Sequence, residues 1–261
     1  MSVETWARLA LVPAAVWLAS LAARRWGHTV SGYLGGLPLI GGPITLFLAL
    51  DHGAGFARAS AVMTLAAIVG QAAHLAVFTR VGRRARWPVA LASAWTSFAA
   101  IALVLAMSPL TPGLALALAA VSLVAAFNLI PAPRDAAKPP AIPPLELRLR
   151  LAAALALAIV ILWGAQAFGP VVSGVLLSVP VTGSIMPPFT LALYGPEAVA
   201  RLARGFVVGL AGFAAFFFVV SSCVVSSGIT MAFLAALVAA LAAVFVLTRV
   251  LSLASKRVGR S

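Results

Sequence analysis

Apolar runs of about twenty residues follow one another from residue 5 to residue 250, parted only by short clusters of turn-forming or basic residues. About twenty is the number an α-helix needs to cross the hydrocarbon core of a bilayer. The composition closes off the alternative of a soluble fold. Of 261 residues, 63% are hydrophobic and 9% charged, with a mean hydropathy of +1.13. Soluble domains sit near 45–50% apolar and roughly 25% charged. A membrane β-barrel would show short alternating strands, and these are missing. The expected fold class is an all-α polytopic membrane protein with about nine transmembrane helices. The runs give spans at 5–24, 29–51, 56–80, 87–107, 112–131, 147–168, 170–194, 198–221 and 228–250.

The connecting segments set the orientation. Sixteen of the eighteen basic residues fall in alternate connections, from Arg24 and Arg25 to the C-terminal tail, while the other set holds only Arg8 and Arg58. Basic residues collect on the cytoplasmic side. The expectation is a plasma (inner bacterial) membrane protein with its N-terminus outside and its C-terminus in the cytoplasm. Topology therefore accounts for the net charge of +13, and no nucleic-acid partner is expected. No signal peptide is expected in the first apolar run, because it lacks a basic start and its arginines follow it. Cys223 is the single cysteine, so no disulfide forms within the chain.

A shift of 142 residues overlays the two halves. Gly27 falls on Gly169, Ser31 on Ser173, Gly32 on Gly174, Pro38 on Pro180 and Gly41 on Gly183; after a one-residue slip Arg58 meets Arg201. The units are 1–110, a first repeat; 111–146, a connector helix with a Pro-rich cytoplasmic linker; and 147–261, a second repeat. Four spans per repeat with one connector span reverse the second copy in the membrane. Such inverted repeats are characteristic of secondary transporters.

Spans two and seven carry the same interruption. Pro38, Gly41, Gly42 and Pro43 break one; Pro180, Gly183, Pro187 and Pro188 break the other. Broken backbone at membrane depth persists only inside protein or beside a water-filled cavity. Proline suits the first turn of a helix, so the second halves are expected to restart near Pro43 and Pro187. Helix N-termini there would attract an anion or a carbonyl oxygen. The expected substrate-binding set is Pro38, Gly41, Gly42, Pro43, Thr45, Pro180, Thr182, Gly183, Ser184, Pro187 and Thr190.

None of the five acidic residues falls at the centre of a span. Asp51 and Glu197 follow the two broken helices, each within reach of an arginine, Arg58 or Arg201, and are gating candidates. His74, with Gln71 one turn earlier, is the one titratable side chain well inside a span and a coupling candidate. Gly205, Gly209 and Gly212 read as a surface for close helix packing. No catalytic constellation, metal-ligand motif or phosphate loop is present, so an enzyme is not expected.

The stretch GLPLIGGPITLFLAL, Gly36 to Leu50, resembles the GlpM-like small bacterial membrane proteins, which are about one repeat long. The resemblance covers Ser31 to Gly70 and, more loosely, Ser173 to Gly212, with Pro38 and Pro43 spaced more widely than in that family. It implies a four-helix unit working as an inverted pair, and a loose association with exopolysaccharide production. The leading expectation is a secondary transporter of a small solute, an organic anion first, using crossed broken helices. The alternative is a lipid or polymer-precursor translocase or an accessory subunit of exopolysaccharide export. Its partners would be a small-molecule substrate and membrane lipids, with a homodimer allowed. No cofactor is called for, and coupling to Na+ or H+ is open.

Overall fold

A computed structural model describes residues 14, 17, 29–133 and 143–258. The expected first span, apart from Ala14 and Trp17, and the middle of the Pro-rich linker lie outside the described residues. So do Arg8, Arg24, Arg25, Arg134 and Lys138.

The described residues are helical, with no strand among them. In chain order the helices are α1 (29–36), α2 (Gly41–Ala66), α3 (Ile68–Val81), α4 (Trp87–Ala106), α5 (Pro112–Leu129), α6 (Pro144–Leu177), α7 (Val181–Cys223) and α8 (Ile229–Val258). Three of them turn sharply at a glycine: Gly53 in α2 (φ 85°), Gly169 in α6 (φ 71°) and Gly195 in α7 (φ 78°). With ψ near 180°, these are conformations only glycine adopts without strain. Pro170 and Pro196 follow two of them directly, placing proline where the next helix begins and its missing N–H is not needed. The helical stretches are therefore 41–52, 54–66, 144–168, 170–177, 181–194 and 196–223 within these elements.

Five helical stretches among the described residues are long and apolar enough to cross a membrane. Their burial separates centre from periphery. In the most apolar window of Thr29–Val81, 83% of residues are buried, and in that of Pro144–Cys223, 67%; for α4, α5 and α8 the figures are 22%, 22% and 17%. Each outer helix touches the core through one narrow stripe made mostly of alanine. In α4 it is Ala90, Ala94, Phe98 and Ala102; in α5, Ala115, Ala119, Leu123 and Ala126; in α8, Ala232, Ala236 and Ala240. The opposite faces expose Leu103, Val104, Val121, Val124, Val238 and Leu241. Large apolar side chains outside and alanines inside suit a bundle whose solvent is lipid, where close backbone approach replaces the hydrophobic effect as the force between helices. This is a membrane protein by construction as well as by composition.

The centre is held by two glycine crossings. Helix α1 lies against the 196–223 part of α7, with Gly32 and Gly36 facing Gly205 and Gly209. A Cβ on Gly32 would meet the Leu202 carbonyl and lie 2.7 Å from the Phe206 amide; one on Gly209 would lie 2.8 Å from the Gly36 Cα. The 170–177 part of α6 lies in the same way against 54–66, where a Cβ on Gly174 would be 2.5 Å from the Ser60 carbonyl. The packing role expected for Gly205 and Gly209 is what these contacts require. Gly212 likewise abuts Ala240 and Val244 of α8.

Candidate functional site

The chain leaves helical geometry twice between paired half-helices, at 37–40 between α1 and α2 and at 178–180 between α6 and α7. At the first break the backbone closes tight turns, Leu39 N–H to Leu37 carbonyl at 2.8 Å and Gly42 N–H to Pro38 carbonyl at 2.8 Å. At the second, Val181 N–H bonds the Val179 carbonyl at 2.8 Å and Ser184 N–H the Pro180 carbonyl at 2.7 Å. The helices restart at Gly41 and Val181 rather than near Pro43 and Pro187. Pro43 sits in the first turn of α2, whereas Pro187 and Pro188 lie well inside α7. Pro180 carries the restart because it occupies the position before the first helical residue, and glycine at 41 tolerates the close approach that a side chain would hinder. There a Cβ would lie 3.2 Å from the Phe217 ring and 3.6 Å from the Leu177 carbonyl.

Both breaks border one cavity of about 70 Å³. A buried water needs roughly 10–15 Å³ measured this way, so the space suits a few waters or a solute of a few heavy atoms. Gly41, Pro180, Thr182 and Gly183 of the expected binding set line it, together with Gln71. Ser31 and the apolar Leu34, Leu157, Phe206, Leu210 and Phe213 complete most of the wall, and no charged side chain is among the lining residues. Sequence reasoning missed the apolar members because leucine and phenylalanine carry no signal in so apolar a chain. Pro38, Gly42, Pro43, Thr45, Ser184, Pro187 and Thr190 stand outside the lining. Of these, Pro38 packs near Gly42 at the first break. Thr45 gives its hydroxyl to the Gly41 carbonyl at 2.7 Å, Thr190 is buried, and the Ser184 hydroxyl oxygen is buried with no partner.

The two breaks meet different chemistry. Helix α3 brings polar groups to the second: Gln71 Nε2 donates to the Ser178 carbonyl at 2.6 Å, and His74 Nε2 lies 3.3 Å from the Gly183 carbonyl. His74 is fully buried, its ring edge-on to Trp95 at 6.0 Å. Helix α7 brings rings to the first. Phe217 and Phe216 lie at Gly41 and Gly42, and Phe213 lines the cavity beside them. Both rings are core, with Phe216 5% and Phe217 0% exposed.

The gating candidates lie away from the cavity. Asp51 and Arg58 are exposed around the Gly53 turn. Glu197, just past Gly195, forms an ion pair with Arg83 beyond the end of α3, Nη2 to Oε1 at 3.2 Å. Arg83 is a partner that local spacing did not suggest. On the same side Arg80 Nε donates to the Leu129 carbonyl at 2.9 Å, and Arg204 Nη1 to the Phe127 and Ile130 carbonyls at 3.1 and 2.9 Å. The Arg204 guanidinium also covers the Phe127 ring at 3.8 Å. Two arginines, from α3 and α7, thus hold the C-terminal carbonyls of α5, where positive charge is favoured. Arg201 is half-buried on the same helix as Glu197. Among the described residues no group of His, Cys, Asp or Glu could hold a metal ion. Compared with known proteins, the chain matches no protein-family model, no curated protein and no solved structure.

Proposed function

We propose that the protein is a secondary transporter of a small solute, a small organic anion in the first instance, bound between the two breaks. The carrying observation is the reciprocity of the two glycine crossings. Gly32 meets the carbonyl of Leu202, and Gly174 meets the carbonyl of Ser60; both members of the second pair follow from the first by the same offset of 142 residues. The turns at Gly53 and Gly195 obey that offset too. Two copies that each pack their half-helix on the other's continuous helix are what a pseudo-twofold axis in the membrane plane produces, and alternating access proceeds by rocking such copies about a shared site. In this reading the chain crosses nine times, α1 entering from the cytoplasm and 170–177 from outside. The repeat also extends the architecture implied by the GlpM-like resemblance, two four-helix units fused by α5.

The site fits a small anion better than a cation. It contains the N-termini of the half-helices at Gly41 and Val181, the Gln71 amide, and no carboxylate. The test is counterflow of [14C]acetate and [14C]lactate in proteoliposomes. Wild type should accumulate label, and Gly183→Leu should abolish this with an unchanged elution profile in detergent. A Cβ at 183 meets only ordinary contacts, 3.4 Å to Pro180 and 3.8 Å to His74, so the added bulk extends into the cavity. Full counterflow by Gly183→Leu would overturn the site. Scrambling of a fluorescent lipid by wild type, without counterflow, would favour the lipid-translocase alternative.

A further inference from the structure

His74 stands one residue behind the cavity wall formed by Gln71, Leu75 and Gly183. The Gly183 carbonyl can only accept a hydrogen bond, so the ring nitrogen 3.3 Å from it, Nε2, carries a proton. In a neutral imidazole the other nitrogen, Nδ1, is then a bare lone pair. Here that lone pair is buried, with no hydrogen-bond partner, in a side chain that is 0% exposed. A buried acceptor without a donor costs roughly 1–3 kcal/mol and calls for a reason.

Among the described residues, the helices packed on α3 bring no other ionisable side chain to this level. The helices packed on α3 are α4, α5, α7 and α2. Helices α4 and α5 contain no titratable residue. In α7 the first are Tyr194, Glu197, Arg201 and Arg204, starting eleven residues beyond Gly183, and in α2 they are Asp51, His52 and Arg58, sixteen or more residues before His74. Arg80 on α3 itself lies more than a helical turn away, bound to the α5 carbonyl.

We propose that His74 is the proton-binding residue that couples transport to H+, by setting whether water reaches the cavity between the breaks; this rests on the transport reading. A proton taken from water by Nδ1 gives an imidazolium, and no bond in the solute forms or breaks. In the closed arrangement the ring meets only backbone carbonyls, those of Gly183 and Ala94, and no counter-ion among the described residues, and a charge without water or a counter-ion is costly at membrane depth. The protonated ring therefore requires a hydrated cavity, and the nearest hollow is the one that Gly183 borders. By linkage, whatever hydrates the cavity equally favours proton uptake. Once the cavity has opened to the opposite side, the proton passes to the water on that side as the cavity drains and closes.

The experiment needs no solute. Thr182, a lining residue, is replaced by cysteine in the full chain, with native Cys223 kept as the internal reference, and both are labelled in nanodiscs with a methanethiosulfonate reagent. Peptide mass spectrometry then gives the ratio of the two rates from pH 8 to pH 5.5. The expected result is a ratio that rises at least about fivefold as pH falls, along a single-proton curve, and that is flat after His74→Gln, which retains a donor for Gly183. A flat ratio in the chain with His74 intact overturns the proposal, even if His74→Gln does not fold. So does a ratio that responds to replacing Na+ by choline but not to pH. Failure of [14C]acetate and [14C]lactate counterflow with a pH-dependent ratio would instead count against the transport reading alone.

Discussion

The 37–40 and 178–180 breaks are the same device in two chemical settings. One is walled by Phe213, Phe216 and Phe217 of α7, the other is bound through Gln71 and His74 of α3. Under the 142-residue offset, Gln71 corresponds to Phe213 and His74 to Phe216. The backbone geometry repeats while the side chains that service it diverge. A hydrogen bond from a side chain to a break's carbonyl resists movement of that segment, whereas ring contacts let it slide. The second break is thus the anchored one and the first the freer one.

The largest effects should come from what the halves share. Gly32→Val and Gly174→Val each force a side chain into a backbone carbonyl that cannot rotate away, at Leu202 and Ser60. Overpacking usually costs 1–3 kcal/mol, and a clash with backbone belongs at or above the top of that range. Both variants should lose about 3 kcal/mol or fail to yield monodisperse protein, read by thermal unfolding in detergent. If only one suffers, the crossings are not equivalent, and the pseudo-symmetric reading falls with them.

Next come the residues that differ. Gln71→Leu keeps the volume but strips the Ser178 carbonyl of its donor in an apolar setting, at roughly 1–3 kcal/mol. Phe213→Leu, at the corresponding place, only trims a packed ring and should cost about 1 kcal/mol. The same unfolding assay, run side by side, ranks them. A larger loss for Phe213→Leu would mean that the ring-walled break is the stiffer one, and the contrast between anchored and free would reverse.

Much of this was legible in the sequence. Helical ends follow from the punctuation: Thr111 accepts from Leu114 N–H at 3.3 Å with Pro112 next to it, and Gly169-Pro170 and Gly195-Pro196 mark the turns. The breaks were legible because proline and glycine mean something even in a chain of alanine, leucine and valine. Their register was not. Pro43 and Pro187 point to restarts at those positions, yet proline is tolerated within a first turn and inside a buried membrane helix whose neighbours satisfy the backbone. The partners of polar groups were hidden too. Gln71 and Ser178, or Arg83 and Glu197, lie more than 100 residues apart in sequence, and such pairings depend on a crossing angle that no local pattern encodes.

The smallest effect should come from Glu197→Gln. The ion pair with Arg83 looks like a gate because it joins α7 to the end of α3, on the side where Arg80 and Arg204 hold α5. Its exposure argues otherwise: the Arg83 and Glu197 side chains are 36% and 21% exposed. Exposed pairs are typically worth about 0–1 kcal/mol and are screened by salt. Glu197→Gln should therefore lower the melting temperature only slightly, and the difference from wild type should vanish in about 0.5 M NaCl, beyond which the Debye length is only a few ångströms. The anchored break would then owe its stability to Gln71 and His74 at the centre, not to a clasp at the rim. A drop as large as that for Gln71→Leu, persisting in high salt, would place the restraint on α7 at Glu197 and make the two breaks alike in their freedom, with the difference between the halves lying at the membrane surface instead.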